Sequence, residues 1–198
     1  FVGNKALAAV GSTGTIMFLI YGFVVGMTAG FTVLTAQKFG AGDMPAMRRT
    51  VAGASFLSLL VGLVLTAAFM AFMKPWLTLM HTPEDIFADA YAYIMIISAG
   101  ILAQMLYNLL ASILRALGNS RVPLYFLILS ALLNIVLDLV FIIVFHMGAA
   151  GAAAATVISQ GVSGALCLVY IVKKVPLLHM TREDWKLSGA LLGTQIRI

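Results

Sequence analysis

The stretch "VPLYFLILSALLNIVLDLVFIIVFHMGAAGAAAATVISQGVSGALCLVYIV", residues 122–172, decides the fold. Its 51 residues carry one charge, Asp138. A spanning helix needs about 20 mainly apolar residues, so the stretch holds two spans and a turn. "HMGAAG" (146–151) is the obvious turn. Within the first span, "LLNIVLDLV" (132–140) sets Asn134 and Asp138 four apart with no basic residue nearby. On a helix that spacing puts both on one face.

Working outward, the same pattern recurs. Residues 6–37, 50–73 and 90–114 contain no Asp, Glu, Lys or Arg. The chain is 62% hydrophobic and 10% charged, and its mean hydropathy is +1.07. Soluble domains average roughly 45–50% apolar and about 25% charged residues. The composition therefore points to an all-α integral membrane protein. A signal peptide does not explain runs that recur along the whole chain. Five full spans are expected, at about 12–37, 50–73, 90–114, 122–145 and 150–172. Residues 1–11 read as the exit of an earlier helix and a short loop. Because residue 1 is Phe, the natural start is expected upstream. Residues 1–172 would form the bundle. Residues 173–198 would be a cytoplasmic linker or interfacial amphipathic helix leading toward a further span.

The loops alternate in charge. One set carries Lys38, Arg48, Arg49, Arg115, Arg121, Lys173, Lys174, Arg182 and Lys186, and the other only Lys5 and Lys74. Basic residues mark the cytoplasmic side, so loop 81–89 ("HTPEDIFAD") is expected outside. The net charge of +5 then reflects topology, and no nucleic-acid partner is expected. The lone Cys167 cannot pair within the chain and reads as a small packing residue. Gly22, Gly26 and Gly30 in "GFVVGMTAG" form a small-residue ridge suited to close helix packing.

No HExxH, CxxC, phosphate-binding Gly-rich loop or GxSxG occurs, so no enzyme chemistry is expected. Polar residues inside the spans are more informative. Asp138 is the only acidic residue well inside a span, with Asn134 one turn before it and Ser130 another turn earlier. Ionisable groups in membrane interiors usually face a bundle interior or a wet cavity. One reading is a cation or proton site, where a carboxylate exchanges a proton or offers oxygen to Na⁺. The other is a group near the outer helix end that simply reaches headgroup water. Gln104, Asn108 and Ser112 form a second stripe, suited to interhelical hydrogen bonds or, alternatively, to a substrate cavity with Ser130.

Five segments, taken in order, resemble a known family. They are "GNKALAAVG" (3–11), "TAQKFGAGD" (35–43), "LRALGNSRVPL" (114–124), "LLNIVLD" (132–138) and "GAAGAAAATVISQ" (148–160). The chain resembles the N-terminal half of bacterial multidrug and toxic compound extrusion (MATE) transporters, over essentially its whole length. The resemblance implies one half of a twelve-helix, two-bundle transporter, with a C-terminal bundle supplied elsewhere. It also implies a plasma-membrane antiporter that exports drugs in exchange for Na⁺ or H⁺ by alternating access, with no other cofactor. By the same resemblance Asn134, Asp138 and Thr156 are cation-coupling residues, while a further acidic site on helix 1 falls before Phe1. A related lipid-linked oligosaccharide flippase and a non-transport membrane assembly protein are the alternatives. No Lys or Arg lies mid-span to hold a pyrophosphate, which favours small cationic or amphipathic organic substrates.

Overall fold

Two similar signals start and stop helices at the basic end of the molecule. Gly42 and Gly118 take positive φ, 74° and 80°, a conformation open to glycine without strain. Each closes a helix by the same pattern: the Asp43 N–H reaches the Lys38 carbonyl, and the Asn119 N–H reaches that of Leu114. The residue after each glycine opens the next helix. The Asp43 carboxylate accepts the Ala46 N–H at 3.1 Å, and the Asn119 side-chain oxygen accepts that of Val122 at 3.2 Å. Pro45 and Pro123 follow in the first turns, where a missing N–H costs little.

The computed structural model describes residues 4–197. Its helices are α1 (Asn4–Ser12), α2 (Gly14–Gly40), α3 (Met44–Leu79), α4 (Glu84–Ala99), α5 (Ile101–Ala116), α6 (Arg121–Leu139), α7 (Gly148–Lys174) and α8 (Gly189–Arg197). A π-helical turn (Val140–Val144) extends α6, and a 3₁₀ turn (Pro176–Leu178) follows α7. Among the described residues there is no strand. Helices α2, α3, α6 with its π turn, and α7 are each long and apolar enough to cross a membrane, and α4 with α5 makes a fifth, bent span. Large apolar side chains such as Phe18, Leu63, Val64 and Leu132 lie exposed on the outer faces, as a bilayer requires.

Several sequence expectations are corrected. The span expected at 90–114 is two helices meeting at 45°. The break falls at Gly100, whose ψ of −1° departs from helical values, and a Cβ there would collide with Val157 of α7. Glycine is a recognised kink site. The expected span 50–73 lengthens to 36 residues, about 54 Å at the helical rise, more than the roughly 30 Å hydrocarbon core. The turn expected at 146–151 is shorter, because α7 already begins at Gly148. Residues 4–11, expected as a helix exit and loop, lie in α1, which packs against α4 and α7. Residues 1–3 of that expectation lie outside the described residues.

Apolar packing falls into two clusters, one per end. Ala6, Leu77, Ile86 and Ala149 share one. Met47, Leu114, Ile171 and Leu178 share the other, with Cys167 buried among them. Loops expected on the same side therefore gather at the same end. The Gly22–Gly26–Gly30 ridge meets nothing within 4 Å of any Cβ position, so it seats no helix among the described residues. Close approaches occur instead at Gly62, Gly100, Gly151 and Gly164, where a Cβ would press on a neighbouring segment. Helix α6 is an edge element, packed mainly on α7, with only Pro123 and Ser130 buried.

Candidate functional site

Asp138 stands one residue before the end of α6, and the chain turns π-helical two residues later. π turns interrupt the regular ladder and recur at functional sites. Gly151 allows this turn to approach α7, since a Cβ there would press on Met147 and Phe141. Asp138 precedes the turn residue His146 by eight positions, with the π turn between them. The side chain is half-buried, and its Oδ1 is enclosed with no hydrogen-bond partner among the described residues.

One turn earlier, the Asn134 amide points across to α7, where its Nδ2 donates to Thr156 Oγ1 at 3.4 Å. The Thr156 hydroxyl in turn donates to the Ala152 carbonyl at 2.9 Å, a bond within its own helix. Asn134 and Thr156 are thus brought together, with Asp138 next along α6. Reversing the Asn134 amide would present Oδ1 instead, and carboxylate, amide and hydroxyl oxygens are the donors a hard cation prefers. Among the described residues no three His, Cys, Asp or Glu side chains gather, so a site built of soft or multiple charged ligands is not what this geometry offers.

Three further side chains extend the polar patch. Gln160, one turn beyond Thr156 on α7, donates to the Tyr21 hydroxyl of α2 at 3.5 Å, and its own Oε1 is buried without a partner among the described residues. Tyr93 of α4 is buried close to Tyr21 and Asp138. The sequence offered a faint signal for Gln160, since Thr156 and Gln160 share one face of "TVISQ". Tyr21 carries no such signal, being a lone tyrosine in an apolar run, and Tyr93 is one of two tyrosines, with Tyr91, at the start of another.

The second stripe behaves differently. The Asn108 amide donates to the Gln104 main-chain carbonyl at 2.8 Å, and Ser112 accepts from Arg115 at 2.9 Å. These bonds stay within α5, so among the described residues the expected interhelical bonds do not form. Gln104 is fully buried, with neither side-chain polar atom partnered among the described residues. Ser130 is buried on α6. Gln104, Asn108 and Ser130 have no recorded bond to Asp138, Asn134 or Thr156. The helix α2 threonines mostly bond their own backbone, as Thr28 does to Val24 at 2.7 Å. Thr35 is the exception, accepting from Thr50 of α3 at 3.0 Å.

This arrangement of helices has close counterparts. The family model described as MatE matches residues 1–140, which include Asn134 and Asp138. The probable multidrug resistance protein YpnP of Bacillus subtilis (strain 168) is 37% identical over 96% of this chain and 43% of the relative. Two solved structures of a multidrug resistance MATE family transporter align over nearly the whole chain. The inward-facing one has a TM-score of 0.91 at 27% identity, covering 99% of this chain and 45% of that one. The outward-facing one has a TM-score of 0.93 at 26% identity, covering 100% and 44%. The chain thus spans somewhat under half the length of these relatives. With the family model matching well over half of its residues, the chain belongs to the MatE family.

Proposed function

We propose that the complete protein exports small cationic or amphipathic organic compounds across the plasma membrane, exchanging them for Na⁺ or H⁺ by alternating access. In this reading Asp138 holds the coupling cation, with Asn134 and Thr156 as neutral oxygen ligands. The observation that carries it is the enclosed, unpartnered Asp138 Oδ1 beside the Asn134–Thr156 contact. A carboxylate left without a partner inside a membrane bundle is costly, and such groups usually mark ion or substrate paths. Supporting it, a curated relative is named as a probable multidrug resistance protein. The fit to both inward- and outward-facing relatives favours a half that keeps its shape while the two halves rock.

The test is ion-driven drug efflux from vesicles holding the complete transporter with Asp138→Asn, at matched protein level. A charge pair at about 4 Å with an effective dielectric near 20 is worth about 4 kcal/mol. Cation affinity should therefore fall roughly 10²–10³-fold. Asn134→Ala removes one neutral ligand and should weaken coupling less, and the two changes should be non-additive. Efflux at the unmodified level with Asp138→Asn would leave the pair as a structural feature.

A further inference from the structure

Between α3, α5 and α7 runs an apolar cavity of about 830 Å³ that shares no lining residue with the Asp138 patch. Its size falls within the roughly 300–1,000 Å³ typical of small-molecule sites. Along α5 its lining extends from Leu102 to Ile113, about 17 Å at the helical rise. That is close to half of the roughly 30 Å hydrocarbon core. Leu59 and Leu168 line it and are themselves exposed, so the cavity opens sideways to the bilayer. In its wall Ser58, only 3% exposed, has a hydroxyl with no hydrogen-bond partner among the described residues.

The segment after α7 closes the basic end of this cavity. His179 Nε2 bonds to the Val172 carbonyl at 2.8 Å. The Asp184 carboxylate accepts from the Thr181 N–H at 2.8 Å and hydroxyl at 3.0 Å, and Arg48 Nε lies 3.3 Å from it. The segment is thus tied to α7 at one point and α3 at another, and it places His179, Met180 and Trp185 against the cavity. Lys173 and Lys174, the last residues of α7, and Arg182 in the segment beyond it stand exposed and join no ion pair among the described residues.

We propose that this cavity is a binding slot for one acyl chain of an anionic phospholipid, whose headgroup lies against Lys173, Lys174 and Arg182. The length fits one leaflet, the walls are apolar, the opening faces lipid, and the free charges complement an anionic headgroup. The slot is separate from the Asp138 patch and does not depend on the proposed transport activity.

Trp185 is a built-in reporter, since the only other tryptophan is Trp76. The chain with Trp76→Phe, in phosphatidylcholine nanodiscs, is given increasing amounts of phosphatidylglycerol brominated on its acyl chains. Trp185 quenching should saturate at low mole fraction, whereas brominated phosphatidylcholine should quench weakly and in proportion to its amount. Replacing Lys173, Lys174 and Arg182 by Gln, all on the exposed surface, should weaken the saturable phase about fivefold per charge. Ser58→Leu, which fills the slot, should abolish it with helix content unchanged by circular dichroism. Equal, non-saturating quenching by both lipids would overturn the proposal, as would a saturable phase that ignores the charge substitutions.

Discussion

The docking of α8 centres on one buried side chain and one glycine, with Leu192 packed on the apolar cluster beside them. Gln195 is 1% exposed, and its Nε2 donates to the carbonyls of Phe31 on α2 at 3.0 Å and Thr50 on α3 at 2.8 Å. Two such bonds contribute about 1 kcal/mol each. The Gln195 Oε1 is buried without a partner among the described residues, which offsets about 1 kcal/mol of that gain. Gln195→Ala should therefore loosen α8 by about 1–2 kcal/mol, speeding amide exchange across Gly189–Arg197 roughly tenfold. Gln195→Glu keeps the shape but replaces both N–H donors with a charge facing two carbonyls, so it should undock α8 more than Ala does. Gly53 supplies the room, because a Cβ there would meet Gln195 Oε1. Gly53→Ala should favour α3 by about 1 kcal/mol in helix propensity and yet release α8. The two changes share one contact, so Gly53→Ala should add little further opening once Gln195 is Ala. Hydrogen exchange followed by mass spectrometry reads all four chains. Wild-type protection with Gln195→Glu, or additive opening in the double variant, would refute the reasoning.

Two further outcomes follow from the packing and the charges. The Asp184 carboxyl is held below its usual range, first by the Thr181 N–H, then by the Thr181 hydroxyl and the nearby Arg48, against the opposing effect of burial. A depressed carboxylate stabilises above its unfolded pKa and loses that contribution as pH falls through the folded one. Trp185 emission in the Trp76→Phe chain should hold steady from pH 8 to 5 and shift only below about pH 4, and a transition at higher pH would refute the Asp184 tie. Gly100→Ala should destabilise the bundle by about 1–3 kcal/mol through overpacking against Val157, and Val157→Ala should recover most of it in thermal unfolding, an outcome that no rescue would contradict.

The spans were legible because a bilayer imposes one strong requirement, that every backbone group be satisfied within an apolar helix. An uncharged run of the required length has few other fates. The break at Gly100 was not legible, because it depends on Val157 of another helix rather than on neighbours in sequence. The same reason explains the glycines: spacing selected Gly22, Gly26 and Gly30, but contact occurs at Gly62, Gly151 and Gly164. Spacing names a face without saying what covers it. In the candidate site, Asn134 and Asp138 announced themselves by being polar and four apart, and Thr156 was reached only through family resemblance. Tyr21, Tyr93 and Gln160 were missed because only the fold brings α2, α4 and α7 together. Likewise Gln195 lies in a mixed tail whose pattern gives no hint of an anchor between α2 and α3.

Placement on α6 gives the proposed cation site a means of acting. Among the membrane helices α6 is the least covered, with Pro123 and Ser130 its only buried residues. The rest of its surface can meet lipid or another part of the complete transporter. On the proposal, a cation entering beside Asp138 would cancel a charge on that edge and change what the surface accepts, whereas the same charge within the α3–α5–α7 interior would act only on packing already fixed. The basic end is tied differently, by Asp184 to Arg48 and by Gln195 to two carbonyls. Those ties hold the segment leaving α7 against α2 and α3. On the proposed mechanism, an ion at α6 would shift the edge of this half while the departing segment stays anchored. A rocking half needs both, a face whose energy the ion changes and a connection that carries the movement onward.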